Sequence, residues 1–188
     1  MPAICLYLHC HQPLRLKKFS VFDIGSNIPY FDDKKNEAVL ARVAQKCYLP
    51  ANRLLLELIR RTGGKFMVSL SISGVLLEQL EDKFPEVLRS FKDLVDTGCC
   101  ELISETYYHS LASLYSRQEF INQVEKQNQT IKRLFNFQPR FIRNTELVYN
   151  NYIAALAENL GFDGILAEGW DDILEWRSPN YLYKAKNS

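Results

Sequence analysis

Five short apolar runs, separated by longer amphipathic stretches, constrain the fold of this chain more than any other feature. The runs are Ala3–Leu8, Lys65–Ser71, Cys99–Ser104, Arg140–Asn144 and Gly164–Ala167, and each reads as a strand. The stretches between them carry a helical period. Across Phe84–Thr97 the apolar positions Val87, Leu88, Phe91, Leu94 and Val95 form one stripe. Phe120, Val124, Gln127, Ile131 and Leu134 form another, and Ser116 with Glu119 three positions later makes a capping box before it. Thr62-Gly63-Gly64 and Thr97-Gly98 mark helix ends, where glycine takes up the left-handed conformation. Strand and helix in alternation mean parallel strands joined by right-handed crossovers.

Two architectures satisfy that pattern: an open doubly wound sheet, or part of a closed (β/α) barrel. A dinucleotide fold would place a glycine-rich phosphate loop after the first strand. This chain has His9-Cys10-His11-Gln12-Pro13 there instead. The connection from Leu14 to Asn36 shows no clear period, and a loop of that length in a compact domain is often functional.

Composition narrows the function classes. The 23 basic and 22 acidic residues are spread along the chain, so neither nucleic acid nor an anionic membrane is expected as a partner. No apolar run approaches the ~18 residues of a membrane span. The five cysteines are odd in number and lack CxxC spacing, which reads as reduced packing residues. Without a signal-type N-terminus, a cytoplasmic protein is the expectation.

In either architecture the working face lies beyond the carboxyl ends of the strands. Those ends supply His9, His11 and Gln12, then Ser71 and Ser73, then Glu101 and Glu105, then Asn144 and Glu146, and finally Glu168. The two imidazoles of His-x-His admit three readings. A binuclear metal centre would recruit further histidines, and only His109 remains. Imidazoles can also be satisfied core groups. A hydroxyl-rich ligand fits them best, because a neutral imidazole both donates and accepts hydrogen bonds. Glu146 falls between a strand and an amphipathic helix expected to begin at Leu147. A carboxylate there can simply complement the helix dipole, but Arg143 and Asn144 beside it can hold an ionised carboxylate in position.

The motifs "HCHQP", "GCCELIS" and "IRNTELVYNN" resemble three ordered regions of glycoside hydrolase family 57, the α-amylase and 4-α-glucanotransferase family. "YYHSLASLY" (107–115) and "GFDGILAEGWDDILEWRSPNYLY" (161–183) are similar to its α-amylase-like branch. The resemblance implies an incomplete (β/α)7 barrel acting on α-1,4-glucans by a retaining mechanism, with no metal or other cofactor. It implies Glu146 as nucleophile, His9 and His11 at the subsite of the attacked sugar, and Glu101 as the glutamate of the second motif. His109, Arg143, Glu168 and Trp170 are implied as further substrate contacts. Some members carry tryptophan near the start of the nucleophile motif where this chain has Arg143, so hydrolysis, transfer and branching are not separated. The family's general acid is an aspartate on a later strand. Asp163, Asp171 and Asp172 follow the nucleophile, and none sits in a matching motif. Residues 1–188 are therefore expected to be the N-terminal portion of such a barrel, truncated before the general-acid strand. Its open edges could be covered in a homo-oligomer. Two rivals stand beside this reading. One is a metal-dependent sugar deacetylase or amidohydrolase with zinc at His9 and His11. The other is a non-catalytic glucan-binding protein that stacks sugars on Trp170 and Trp176.

Overall fold

The computed structural model describes residues 4–185. Strand β1 (Tyr7–Cys10) leads through a long excursion into helix α1 (Asp33–Val43) and helix α2 (Leu49–Arg61). Strand β2 (Val68–Ile72) is followed by α3 (Gly74–Lys83) and α4 (Pro85–Val95), and β3 (Cys100–Leu102) by α5 (Ala112–Tyr115) and α6 (Arg117–Phe135). Strand β4 (Phe141–Arg143), α7 (Asn151–Asn159), β5 (Gly164–Leu166) and α8 (Asp171–Leu174) complete the order.

All strand pairings are parallel, with β1 on β2, β2 on β3, and β4 on β5. A bridge between Ser104 and Ile142 joins the two sheets, through Ser104 N–H to Phe141 O at 2.9 Å and Arg143 N–H to Ser104 O at 2.8 Å. The spatial order is thus β1-β2-β3-β4-β5, the same as the chain order. A doubly wound sheet reverses its order at a switch point; a barrel wall does not. The choice left open by the sequence falls to the incomplete (β/α) barrel.

The expected strands are present, but β1 is displaced. It runs from Tyr7 to Cys10 rather than from Ala3 to Leu8, and Ala3 lies outside the described residues. The displacement follows from pairing. Tyr7 and His9 lie opposite Ser69 and Ser71, so the ladder extends as far as β2 offers partners, whatever the polarity of residue 9. His9 is accordingly a strand residue and only His11 lies past the tip.

Side chains alternate across a strand. Leu70, Ile72, Cys100 and Leu102 face outward into a core with Leu55, Ile59, Leu76, Leu80, Phe91 and Ile131 from the surrounding helices. A second core joins Phe120 and Val124 of α6 to Ile142 of β4 and Leu156 of α7. The periodic stripes read from the sequence are these helix faces. The capping signal also holds, with Ser116 Oγ accepting from Glu119 N–H at 3.2 Å. Between α1 and α2 the backbone widens into one π-turn, Ala44–Tyr48. Pro50, in the first turn of α2, has no N–H to return to the carbonyl of Lys46, and the ladder skips there.

The long first excursion closes on itself. Leu16 and Phe31 form an antiparallel bridge, and Lys17 N–H bonds Tyr30 O at 2.9 Å. Its base is fixed beside the strand tips by Gln79 Nε2, which donates to Gln12 O at 2.8 Å, and by Arg15 N–H, which donates to Asn36 Oδ1 at 2.8 Å.

Gly74 opens α3 where no side chain fits. A Cβ there would lie 2.1 Å from Tyr107 Cδ2, inside the ring's van der Waals surface. Tyr107 is 2 % exposed and its carbonyl accepts from Val75 N–H at 3.1 Å, so the ring has nowhere to retreat. Gly74→Ala is expected to cost ~1–3 kcal/mol through overpacking. It should also disturb the segment leading to His109. Thermal denaturation followed by circular dichroism checks the first, and an unchanged melting point would reject the steric argument.

Candidate active site

The inner face of the wall, opposite the helices, carries the polar half of each alternation. Tyr7, Ser69 and Glu101 occupy one register level, and His9 and Ser71 lie one level nearer the carboxyl ends. Glu105 continues the alternation of β3 past its last residue. Its carboxylate is the hub of the site. Oε2 meets His9 Nε2 at 3.1 Å and His109 Nδ1 at 3.2 Å, while Oε1 accepts from Ser71 Oγ at 2.5 Å. The other nitrogen of His109 reaches Glu146 Oε1 at 3.0 Å. His11 lies against His109, ring centroids 4.3 Å apart, with its Nδ1 2.7 Å from Ser73 Oγ. All three histidines of the chain therefore sit in one stacked group.

Local backbone geometry aims these groups. His109 has φ 53°, and Glu146 and Leu147 have φ 54° and 59°. Left-handed conformations at non-glycine residues cost about 1–3 kcal/mol each and persist only where the surroundings enforce them. Here the enforcement is visible. The two turns are tied together by a buried contact between Thr106 Oγ1 and Thr145 Oγ1 at 2.9 Å. Asn144 Nδ2 donates to Ser113 Oγ at 3.0 Å and to Val148 O at 2.9 Å, bracing both loops again. The helix expected from Leu147 begins only at Asn151, capped by Asn150 Oδ1 accepting from Ile153 N–H. Glu146 is thus no helix N-terminal residue. It stands on a single strained turn, Thr145–Leu147.

The protonation states follow from this packing. Burial alone would raise the Glu105 carboxyl; the hydrogen bonds from His109, His9 and Ser71 outweigh it and bring it down to about 2. Burial, helped by the charge of His109, lowers His11 to about 4 and keeps it neutral. His109 is raised, first by its bond to Glu105, against the effect of burial. Glu146 is lowered chiefly by the hydrogen bond from His109, with Arg143 contributing only at a distance. His109 thus does more than Arg143 to hold Glu146 ionised. Arg143 is 6 % exposed, its Nη1 lies 3.9 Å from Glu105 Oε2, and its Nε and Nη1 make no hydrogen bond among the described residues. Glu146 is the accessible member: its side chain is 71 % exposed against 12 % for His109. The groups form an open shelf rather than a closed hollow. A recess of about 290 Å³ on the face of α4, lined by Pro85, Glu86, Arg89, Ser90 and Asp93, contains none of them.

The structure brings together His9, His11, His109, Arg143 and Glu146. It does not bring in Glu101, whose carboxylate has no hydrogen bond or ion pair among the described residues and lies a register level deeper than His9. Glu105 occupies the place expected of it. The parity that puts Glu101 on the inner face also puts Glu105 there, four residues on and past the strand end. Glu168 is exposed and, among the described residues, engages through its backbone N–H, 3.4 Å from Leu147 O; Trp170, 56 % exposed, heads α8. Neither touches the cluster. Nor does Asp163, which pairs with Arg140 at 2.6 Å, nor Asp171 or Asp172 on α8. His9, Glu105 and His109 each offer one ligand-type atom within 4.8 Å of the others, a donor set that could hold a metal ion. No helix among the described residues is long and apolar enough to cross a membrane.

Fold and site together define a (β/α)-barrel protein with an imidazole–carboxylate site at the carboxyl ends of its strands. Comparison with known proteins agrees: the profile described as glycosyl hydrolase family 57 matches residues 5–188. The chain belongs to that family. It is 48% identical over 178 residues to a protein of Methanocaldococcus jannaschii provisionally named α-amylase, covering 93% of this chain and 38% of that one. It is 23% identical over 145 residues to an α-amylase of Pyrococcus furiosus, covering 77% of this chain and 21% of that protein. The chain thus spans well under half the length of these relatives. Among solved structures it resembles the 4-α-glucanotransferase of Thermococcus litoralis (TM-score 0.62, 18% identity, 86% of this chain and 21% of that one). It also resembles the family 57 branching enzyme of Pyrococcus horikoshii (TM-score 0.63, 19% identity, 86% and 41%). At those identities the likeness bears on the fold.

Proposed function

We propose that this chain forms the N-terminal, nucleophile-bearing portion of a retaining barrel acting on α-1,4-glucans, with Glu146 as the attacking carboxylate. The observation that carries the reading is the unbroken chain His9–Glu105–His109–Glu146. It ends on the one accessible carboxylate of the group. A nucleophile must be ionised and held toward the anomeric carbon. The hydrogen bond from His109 does both at Oε1, leaving the second oxygen free to attack. His11, neutral and half-buried, has its Nδ1 on Ser73 Oγ and keeps Nε2 for one sugar hydroxyl.

A retaining enzyme needs a second carboxyl group about 5–5.5 Å from the first, protonated so that it can release the leaving oxygen. Glu105 is unsuited. It is ionised, it is 0 % exposed, and both oxygens are engaged. Its part is to hold His9 and His109. The acid is then an aspartate of a later strand, as the family resemblance implies. Hydrolysis and transfer both fit this half of the machinery.

The chain's three histidines make the test direct, because their imidazole resonances report only this site. Titration with maltotriose is expected to shift the signals of His11 and His109. No shift in any of the three at millimolar sugar would overturn the reading.

A further inference from the structure

We propose that His9 Nε2, Glu105 Oε2 and His109 Nδ1 form a binding site for one divalent transition-metal ion of the zinc or cobalt type. The proposal stands on geometry and does not depend on the glucan reading. Metal–ligand bonds of ~2.0–2.1 Å in a tetrahedron place neighbouring ligand atoms about 3.3 Å apart. Glu105 Oε2 lies 3.1 Å from one imidazole nitrogen and 3.2 Å from the other. Two imidazoles and a carboxylate are a donor set suited to these ions. The two imidazole rings are stacked with centroids 4.9 Å apart, and one ligand-type atom from each of the three residues lies within 4.8 Å of the others.

A second observation points the same way. Metal-ligating histidines almost always pass their other N–H to a carboxylate or carbonyl, and ligating carboxylates are themselves hydrogen-bonded. Both outer partners are in place. His109 Nε2 faces Glu146 Oε1 at 3.0 Å and can keep its proton there, while Nδ1 would give up to an entering ion the proton it shares with Glu105. Glu105 Oε1 accepts from Ser71 Oγ, leaving Oε2 as the ligand. His11 stands outside the group: its Nδ1 is turned to Ser73, and the atoms that lie within 4.8 Å of one another come from His9, Glu105 and His109. The zinc pair His9 and His11 suggested by the sequence is therefore replaced by His9 and His109. Arg143, whose Nη1 lies 3.9 Å from Glu105 Oε2, opposes an incoming cation and weakens the site. An ion seated there would share the shelf with any sugar held by the same imidazoles.

Cobalt(II) provides a probe with a spectrum. Titration of the chain with CoCl2 is expected to give one equivalent bound, with visible d–d bands of four-coordinate intensity and no sulfur charge-transfer band. The bands should vanish in His109→Ala and in Glu105→Gln, persist in His11→Ala, and saturate at several-fold lower cobalt in Arg143→Gln. Should Glu105→Gln fail to fold, His109→Ala decides. Absence of the bands, their survival in His109→Ala, or a near-ultraviolet thiolate band from the five free cysteines would overturn the proposal. The sugar titration is read on metal-free protein, so either result stands without the other.

Discussion

Glu146→Gln is expected to end covalent labelling of this chain by a fluorinated α-glucosyl fluoride. The choice of reagent follows from the site. None of the aspartates after the nucleophile reaches the cluster, and loss of a general acid typically costs about 10²–10⁴-fold on an unactivated glucan. Fluoride leaves without protonation, so the attack on carbon is isolated from the step that needs the acid. A ring fluorine destabilises the oxocarbenium-like transition state, so the glycosyl ester accumulates and is read as added mass on the intact chain. The side-chain amide introduced by Glu146→Gln would still accept from His109, and the strained turn at Thr145–Leu147 would keep its geometry. What disappears is the anionic oxygen. Removal of a covalent nucleophile elsewhere costs on the order of 10⁶-fold, well beyond what a misplaced binding group costs. Labelling of Glu146→Gln at the wild-type rate would reject Glu146 as nucleophile.

The parts of this molecule that follow from local periodicity could be read from its residues, and the parts set by three-dimensional register could not. Phe91, Ile131 and Ser116 behave as their spacing requires, since a helix buries what recurs every third or fourth position. The end of β1 was not visible in this way. A histidine lowers strand propensity, yet pairing with Ser71 carries the ladder through His9. Glu101 and Glu105 are both acidic and of one parity, so sequence spacing ranks them equally. What separates them is depth along the barrel axis, which depends on where β2 stops. The left-handed turn at Glu146 was also hidden. Nothing in Asn-Thr-Glu-Leu marks a positive φ, because the conformation is imposed by Thr106 and by Ser113 of α5, from the segment that follows β3.

Glu105→Ala is expected to be the most destabilising single change at the site. Glu105 is 0 % exposed, and the variant would leave Ser71, His9 and His109 without their shared acceptor. Arg143, itself 6 % exposed, would lose the carboxylate nearest its Nη1. Removing one member of a buried charged group costs about 3–5 kcal/mol, because the remaining charge stays desolvated. That is a large share of the roughly 5–15 kcal/mol that typically holds a domain together. For a chain of 188 residues it corresponds to a fall in Tm of roughly 6–20 °C. The origin of the loss can be tested by a double-mutant cycle. If the stranded guanidinium is part of the cost, Glu105→Ala combined with Arg143→Met should recover stability beyond the sum of the two single changes, by about 0.5–3 kcal/mol. The histidine and serine bonds, which dominate the ionisation of Glu105, account for the remainder. Urea denaturation of the four proteins measures the cycle. If Glu105→Ala unfolded at the wild-type midpoint, Glu105 would be no hub, and the placement of His109 against Glu146 would need another cause.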